Sequence, residues 1–421
     1  MQPVSRDDVA AETRVALARR YAEVRARTER LAEPLSAEDQ TIQSMADVSP
    51  TKWHRAHTTW FFETFLLEPS LRGYRPFDPA YRYLFNSYYE AVGPRHPRPE
   101  RGLLSRPGVA EIARYRAHVD EAMPALIAAR PDLADLIELG LHHEEQHQEL
   151  ILMDIKHVLS LNPLQSAYRS ARPPSGVAPA PLAWLDVGGG LRQIGHDARE
   201  FAFDNEGPRH KVWLEPFRLA SRLVTCVEYL AFIADGGYRR PELWLSDGWA
   251  EVQRQGWTAP LYWREDGGWT IFTLAGRRPL DPAEPVVHVS FYEADAFARW
   301  SGKRLPREAE WEVAGVEHNV ALAGNLLDRE VFHPAPGSGA GLLQMIGDTW
   351  EWTASPYIAY PGYRPLAGAV GEYNGKFMSG QMVLRGGAAV TPPGHVRLTY
   401  RNFFPPAARW AFGGIRLAEG A

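Results

Sequence analysis

The chain has 421 residues, of which 45% are hydrophobic, with a formal net charge of −5 from 46 Lys and Arg against 51 Asp and Glu. That length exceeds one ordinary domain and suffices for two packed cores, and the balanced charge gives no signal for nucleic acid or a membrane surface. The opening stretch MQPVSRDDVAAETRVALARRYAEV is charged throughout, no apolar run reaches the length of a bilayer span, and the single Cys226 excludes an intramolecular disulfide, so the expectation is a soluble cytoplasmic protein.

The first 165 or so residues read as helical. Ala, Arg, Glu and Leu with apolar positions at helical spacing run from Arg6 to Glu33, where Pro34 ends them. A second helix begins near Ser49-Pro50, carries WHRAHTTWFFETFLL and closes at Pro69 and Gly73. A third covers Gly108 to Arg130, and a fourth runs from Pro131 through LADLIELGLHHEEQHQELILMDIKHVLSL to Asn162-Pro163. Four helices with one long irregular connection, residues 69–107, predict a four-helix bundle. The Pro/Ala/Ser/Gly-rich segment SARPPSGVAPAPLA reads as a linker, which divides the chain into domains at 1–169 and 184–421, joined by 170–183. Beyond it the texture changes to short apolar runs between Gly, Pro, Asp and Asn turns: WLDVGG, LRQIG, KVWLEPFRLA, VVHVS, MVLRGG and GIRLA. Two helical patches, CVEYLAFIADG and YEADAFARWSG, interrupt them, and most of the 14 Trp lie here. The fold class is therefore α+β in two domains, the second loop-rich with a core of large rings.

LHHEEQHQEL, residues 141–150, carries the strongest chemical signal. Helix positions four apart share a face, so His143 and His147 can chelate one metal. They sit in a long amphipathic helix, where buried polar groups must be paired or metal-bound. WHRAH on the second helix offers a third ligand, His54 or His57, and local sequence does not choose between them. Three neutral imidazoles suit zinc, iron or copper and leave positions open. His143 to His147 also satisfies HExxH literally, but nothing beyond His147 supplies a metalloprotease's third ligand, and the WHRAH pair and second domain would go unexplained.

SPTKWHRAH, LFNSYYEAVGPRHPRPERGLLSRP and LHHEEQHQEL resemble the DinB-type bundle of the ergothioneine-biosynthesis sulfoxide synthases. PVVHVSFYEADAFARWSGKRLPREAEWE, GDTWEWT, EYNGKF, LRGGA, YRNFF and FGGIRLA resemble the formylglycine-generating-enzyme-like, C-type-lectin-related domain of the same family. The resemblance implies a DinB-like four-helix bundle followed by that domain. It also implies a non-haem Fe(2+) enzyme that uses O2 to join a thiol sulfur to imidazole C2 of hercynine. It assigns the metal to His57, His143 and His147, and catalytic proton or electron donation to Tyr88 or Tyr89. Hercynine contacts fall to Gln146, Asn402 and Phe403, an aromatic ring suiting a trimethylammonium group. The basic loop with Arg95, His96, Arg98 and Arg101 is suited to a substrate carboxylate.

The departures are on the donor side. Formylglycine generation needs cysteines that this chain lacks, and Ser379-Gly380 and Ala388-Ala389 stand where many relatives carry cysteine. The related selenoneine synthases, which take a selenosugar, are therefore an equally open reading. Two other classes remain as alternatives: a zinc-dependent thiol transferase or hydrolase of the DinB type, and a lectin-like binding module.

Overall fold

A computed structural model describes residues 6–170 and 178–421. The chain forms two compact units, Met1–Leu161 with Gly368–Glu372, and Asn162–Ala367 with Tyr373–Ala421. Of the expected linker at 170–183, residues 171–177 lie outside the described residues. No helix among the described residues is long and apolar enough to cross a membrane.

The first unit is built on four long helices, α1 (Arg6–Ala32), α2 (Thr51–Phe62), α3 (Val109–Ala129) and α4 (Ala134–Leu161). α2 starts directly after Pro50, whose fixed φ suits a helix entrance. It runs on as a π-helical stretch, Glu63–Leu67, and the chain turns out at Leu71. α1 and α2 both pack along α4, and α2 along α3. Between them lie Phe61, Phe62, Leu66, Tyr115, Val119, Leu126, Ile137 and Leu141, all buried, each fully buried side chain of this size contributing about 1.5–3 kcal/mol. Gly140 allows the closest approach: a Cβ there would stand 2.8 Å from the rings of both Phe61 and Phe62.

One buried polar network joins all four helices. Glu144 of α4 accepts from Arg25 (2.9 Å) and Thr28 (2.6 Å) of α1 and from Arg116 (3.0 Å) of α3. Arg25 also donates to Thr59 of α2 (3.0 Å), and Gln148 of α4 donates to Thr28 (3.0 Å). Burial alone would raise the Glu144 pKa; the two guanidiniums and Thr28 more than offset it and hold it at about 2. A network satisfied at this depth specifies helix register, because any slip leaves charges unpaired.

In the second unit WLDVGG, LRQIG, KVWLEPFRLA and MVLRGG carry strands, whereas GIRLA is strand only at its ends, Gly414 and Ala418, and VVHVS not at all. β1 (Trp184–Val187), β4 (Phe217–Ala220) and β12 (Ala418–Gly420) form an antiparallel sheet with β4 central; β2 (Gly190–Ile194) and β3 (His210–Leu214) form a hairpin. β5 (Trp263–Glu265), β6 (Trp269–Thr273) and β7 (Gly276–Pro279) form a meander. A fourth sheet runs in the order β10 (Asn402–Phe404), β9 (Met382–Arg385), β8 (Trp350–Pro356), β11 (Gly413–Gly414). Residues 286–290 of VVHVS stay irregular and buried, with His288 at φ 65°. The two helical patches are α5 (Cys226–Ala234) and α7 (Phe291–Trp300); α6 (Ser246–Gln255) and α8 (Glu308–Glu317) are helices that the apolar pattern did not announce.

Strands this short cannot hold a sheet alone. Buried ion pairs tie them: Arg385 of β9 and Arg401 both donate to Glu308 of α8, at 3.0 and 2.9 Å. Arg416 grips Glu351 of β8 through two bonds of 2.7 and 2.8 Å, and Trp311 donates to the same carboxylate at 2.8 Å. The fold is thus a helical bundle and a mixed α+β unit.

Candidate metal centre

Trp53, His57 and Trp60 recur at four- and three-residue intervals on α2, so they form one stripe. The His57 ring lies nearly parallel to both tryptophans, its centroid 4.7 Å from Trp53 (13°) and 5.6 Å from Trp60 (17°). All three ring N–H groups are received by carbonyls of one connecting segment. Trp53 Nε1 donates to Leu84 (3.2 Å), His57 Nδ1 to Phe85 (2.6 Å) and Trp60 Nε1 to Arg82 (3.3 Å). A carbonyl only accepts, so the His57 proton is on Nδ1 and Nε2 keeps its lone pair. That Nε2 is buried with no hydrogen-bond partner.

His143 and His147, one turn apart on α4, face it. The three ring centroids are 4.7–4.9 Å apart, and one nitrogen from each ring lies within 4.8 Å of the others. Both nitrogens of His143 are buried without partners. Burial lowers the pKa of all three, His143 to about 4 and the others well below the usual range, so they are neutral. Converging bare imidazole nitrogens in a dry interior are costly unless something accepts their lone pairs. The donor set fits a divalent zinc, iron or copper ion.

His54, the other histidine of WHRAH, lies behind the trio. Its Nδ1 is 2.8 Å from His147 Nδ1 and its Nε2 is 3.0 Å from Asp154 Oδ2. Asp154 was not singled out from sequence, although it follows His147 by seven residues and so shares its helix face. Glu144, which would be the base of an HExxH protease, has both oxygens taken by Arg25, Thr28 and Arg116, so that reading lacks its catalytic group.

Of the tyrosine pair, Tyr89 is buried, stacked on Trp60 at 5.6 Å and edge-on to Phe65 at 5.1 Å; Tyr88, half-buried, packs on Tyr89 at 4.8 Å. Asn86 shapes this loop by accepting from Tyr89 N (3.1 Å) and donating to the carbonyls of Tyr89 and Gly93 (3.0 Å each). Gln146 is half-buried on α4. The basic loop splits: Arg95 pairs with Glu90 (2.7 Å), Arg98 donates to the Asp47 carbonyl (2.5 Å) and His96 to that of Glu100 (3.2 Å), all exposed or nearly so. Arg101 is buried, its guanidinium 3.4 Å over the Trp53 ring, donating to Ser49 and Ser87.

In the second unit, Asn402 and Phe403 lie on β10. Phe403 stacks on Tyr357 (4.1 Å, 9°) and is flanked by Phe377 (5.7 Å). Ser379 is exposed in a turn, whereas Ala388 and Ala389 are fully buried beyond β9, Ala388 N donating to Thr391 and Ala389 N to the Asp348 carbonyl.

A helical bundle with a buried three-histidine centre, joined to a loop-rich α+β unit, defines the class. Residues 20–151 match the DinB superfamily model, and residues 180–330 and 325–421 match the sulfatase-modifying factor enzyme 1-like domain. The chain is 34% identical to the hercynine oxygenase of Mycolicibacterium thermoresistibile over 97% of this chain and 96% of that one. It is 35% identical to that of Mycobacterium tuberculosis over 96% and 98%, and 37% identical to that of Mycolicibacterium smegmatis over 66% and 70%. The chain belongs to the hercynine oxygenase family, the ergothioneine sulfoxide synthase-like proteins.

Proposed function

We propose that this chain is a non-haem iron(II) enzyme that uses dioxygen to join a thiol or selenosugar donor to imidazole C2 of hercynine. The carrying observation is the buried trio His57, His143 and His147, whose neutral rings converge, with unpartnered nitrogens on His57 and His143; the relatives' name supplies the substrate. Bound there by three ligands, iron would supply redox chemistry with coordination positions left over for the reactants. The chain's own residues do the rest. Tyr88 or Tyr89 holds a phenolic proton for the reaction. Gln146 and Asn402 hydrogen-bond hercynine, and Phe403 sets an aromatic face against its trimethylammonium group. Arg95 and Arg98 receive a substrate carboxylate, Arg95 exchanging Glu90 for it.

Anaerobic loading with iron(II), followed by oxygen-electrode measurement with and without hercynine, tests the reading. Uptake that requires hercynine supports it; uptake indifferent to hercynine overturns it. Cysteine, γ-glutamylcysteine and a selenosugar supplied in parallel, with products identified by mass spectrometry, name the donor. Thiol turnover with zinc and without dioxygen would place the chain with transferases or hydrolases instead. Ligand binding unaffected by His143→Ala would make it a binding module.

A further inference from the structure

We propose that His54 and Asp154 form a positioning relay behind the metal centre, which holds the proton of His147 on Nδ1 and leaves its Nε2 lone pair for the metal; the proposal rests on the metal reading above.

Three buried groups stand in line: His147 Nδ1, 2.8 Å from His54 Nδ1, whose Nε2 is 3.0 Å from Asp154 Oδ2. Elementary bonding fixes the proton order. A carboxylate only accepts, so His54 Nε2 carries a proton. The two Nδ1 atoms share one further proton. If it belonged to His54, that ring would be an imidazolium buried against a ligand of a cation. Its proper place is His147, which donates to the bare Nδ1 of His54. Nε2 of His147 is then its remaining lone pair, as Nε2 is for His57 through the Phe85 carbonyl.

Asp154 is also held from its other side. Ser49 N donates to the same Oδ2 at 2.8 Å, and Arg101 donates to Ser49 Oγ at 2.9 Å, linking the guanidinium to the carboxylate through Ser49. Arg101 has only hydroxyl partners for its own hydrogen bonds among the described residues, Ser49 and Ser87. It also lies over Trp53, the ring stacked on His57. One guanidinium thus backs two of the three ligands: His147 through Ser49, Asp154 and His54, and His57 through Trp53. Carboxylate-backed histidine ligands are oriented and made more basic by such partners, and loss of the partner typically costs 10–100-fold in metal affinity.

The test uses the full chain and cobalt(II) as the probe, with affinity read by chelator competition and geometry by the visible absorption of the bound ion. His54→Phe fills the space without an acceptor; His54→Gln keeps an acceptor for His147 and a donor for Asp154. The expected result is cobalt binding weakened 10–100-fold with a shifted spectrum in His54→Phe, and binding restored to within a few-fold in His54→Gln. A folded His54→Phe protein with native affinity and spectrum overturns the relay. A second readout needs no variant to fold: long-range 1H–15N correlation on metal-free, 15N-histidine-labelled protein shows which nitrogen of His147 is protonated. A proton on Nδ1 supports the proposal and one on Nε2 overturns it. Wild-type protein that binds no cobalt refutes the metal reading itself, while the tautomer measurement still judges the hydrogen-bond order separately.

Discussion

Two tryptophans and a loop carbonyl hold the ring of His57 before any ion arrives, so little ordering is left for binding to supply. Such a site depends on each ligand. His147→Ala and His57→Ala are each expected to abolish stoichiometric iron binding; iron retained one-to-one, by metal analysis after desalting, would refute the assignment. Tyr88→Phe or Tyr89→Phe should divert turnover from bond formation at hercynine to oxidation of the donor, read as the product ratio by mass spectrometry; unchanged ratios in both variants would remove the tyrosines from the chemistry. Away from the site, burial pushes the Asp348 carboxyl up to about 6, hydrogen bonds from Asn325 and Ala335 N offsetting this only in part. Its pKa is raised on folding, so the folded state is favoured with Asp348 protonated. That contribution is complete below about pH 3.8 and is lost as the pH rises through about 6, costing up to roughly 3 kcal/mol. Asp348→Asn, which tolerates the φ of 59° there, should flatten the stability profile between those values in urea titrations.

At the scale of elements, the α2–α4 seam decides whether the three imidazoles meet. Gly140 sets that spacing, one turn before His143 on α4. Gly140→Ala gains about 1 kcal/mol of helix propensity. Its methyl would press into Phe61 and Phe62, which are 1% and 0% exposed and cannot yield, at about 1–3 kcal/mol. The clash wins at this 2.8 Å approach, and a net loss of up to about 2 kcal/mol is expected in urea unfolding, with weaker metal binding. The long helices were legible because 3.6-residue periodicity and Pro boundaries are local signals: Pro34, Pro50 and Asn162-Pro163 lie within two residues of observed helix ends. α8 was not legible. It carries Glu308, Glu310 and Glu312, and the acidic residues that look solvent-facing in sequence are buried on partners such as Arg385, Arg401 and Arg304. VVHVS looked like the runs that became strands, but it is a buried irregular segment with single backbone bonds, Val286 N to the Val224 carbonyl and Val289 N to that of Gly413.

For the whole molecule, a metal that binds the folded bundle and not the unfolded chain must stabilise it, by about 2.7 kcal/mol at a free concentration 100 times the dissociation constant. Calorimetry should therefore show a melting temperature that rises with added metal in the wild type and stays fixed in His143→Ala; a rise in both would locate the binding elsewhere. The division into a helical part and a loop-rich part, the helix limits, and the shared face of His143 and His147 could be read from the amino acids alone, because each follows from spacing along one segment. Family motifs pointed further, to His57. What surrounds those ligands came from the folded chain: His57 between two rings with its proton directed at a loop carbonyl, Glu144 removed from chemistry by two arginines, and His54 turned from a rival ligand into the partner of His147 and Asp154. The reason is physical. Periodicity says which side chains share a face, but a proton's position and a charge's partner depend on distances between segments far apart in the chain, and only packing sets those.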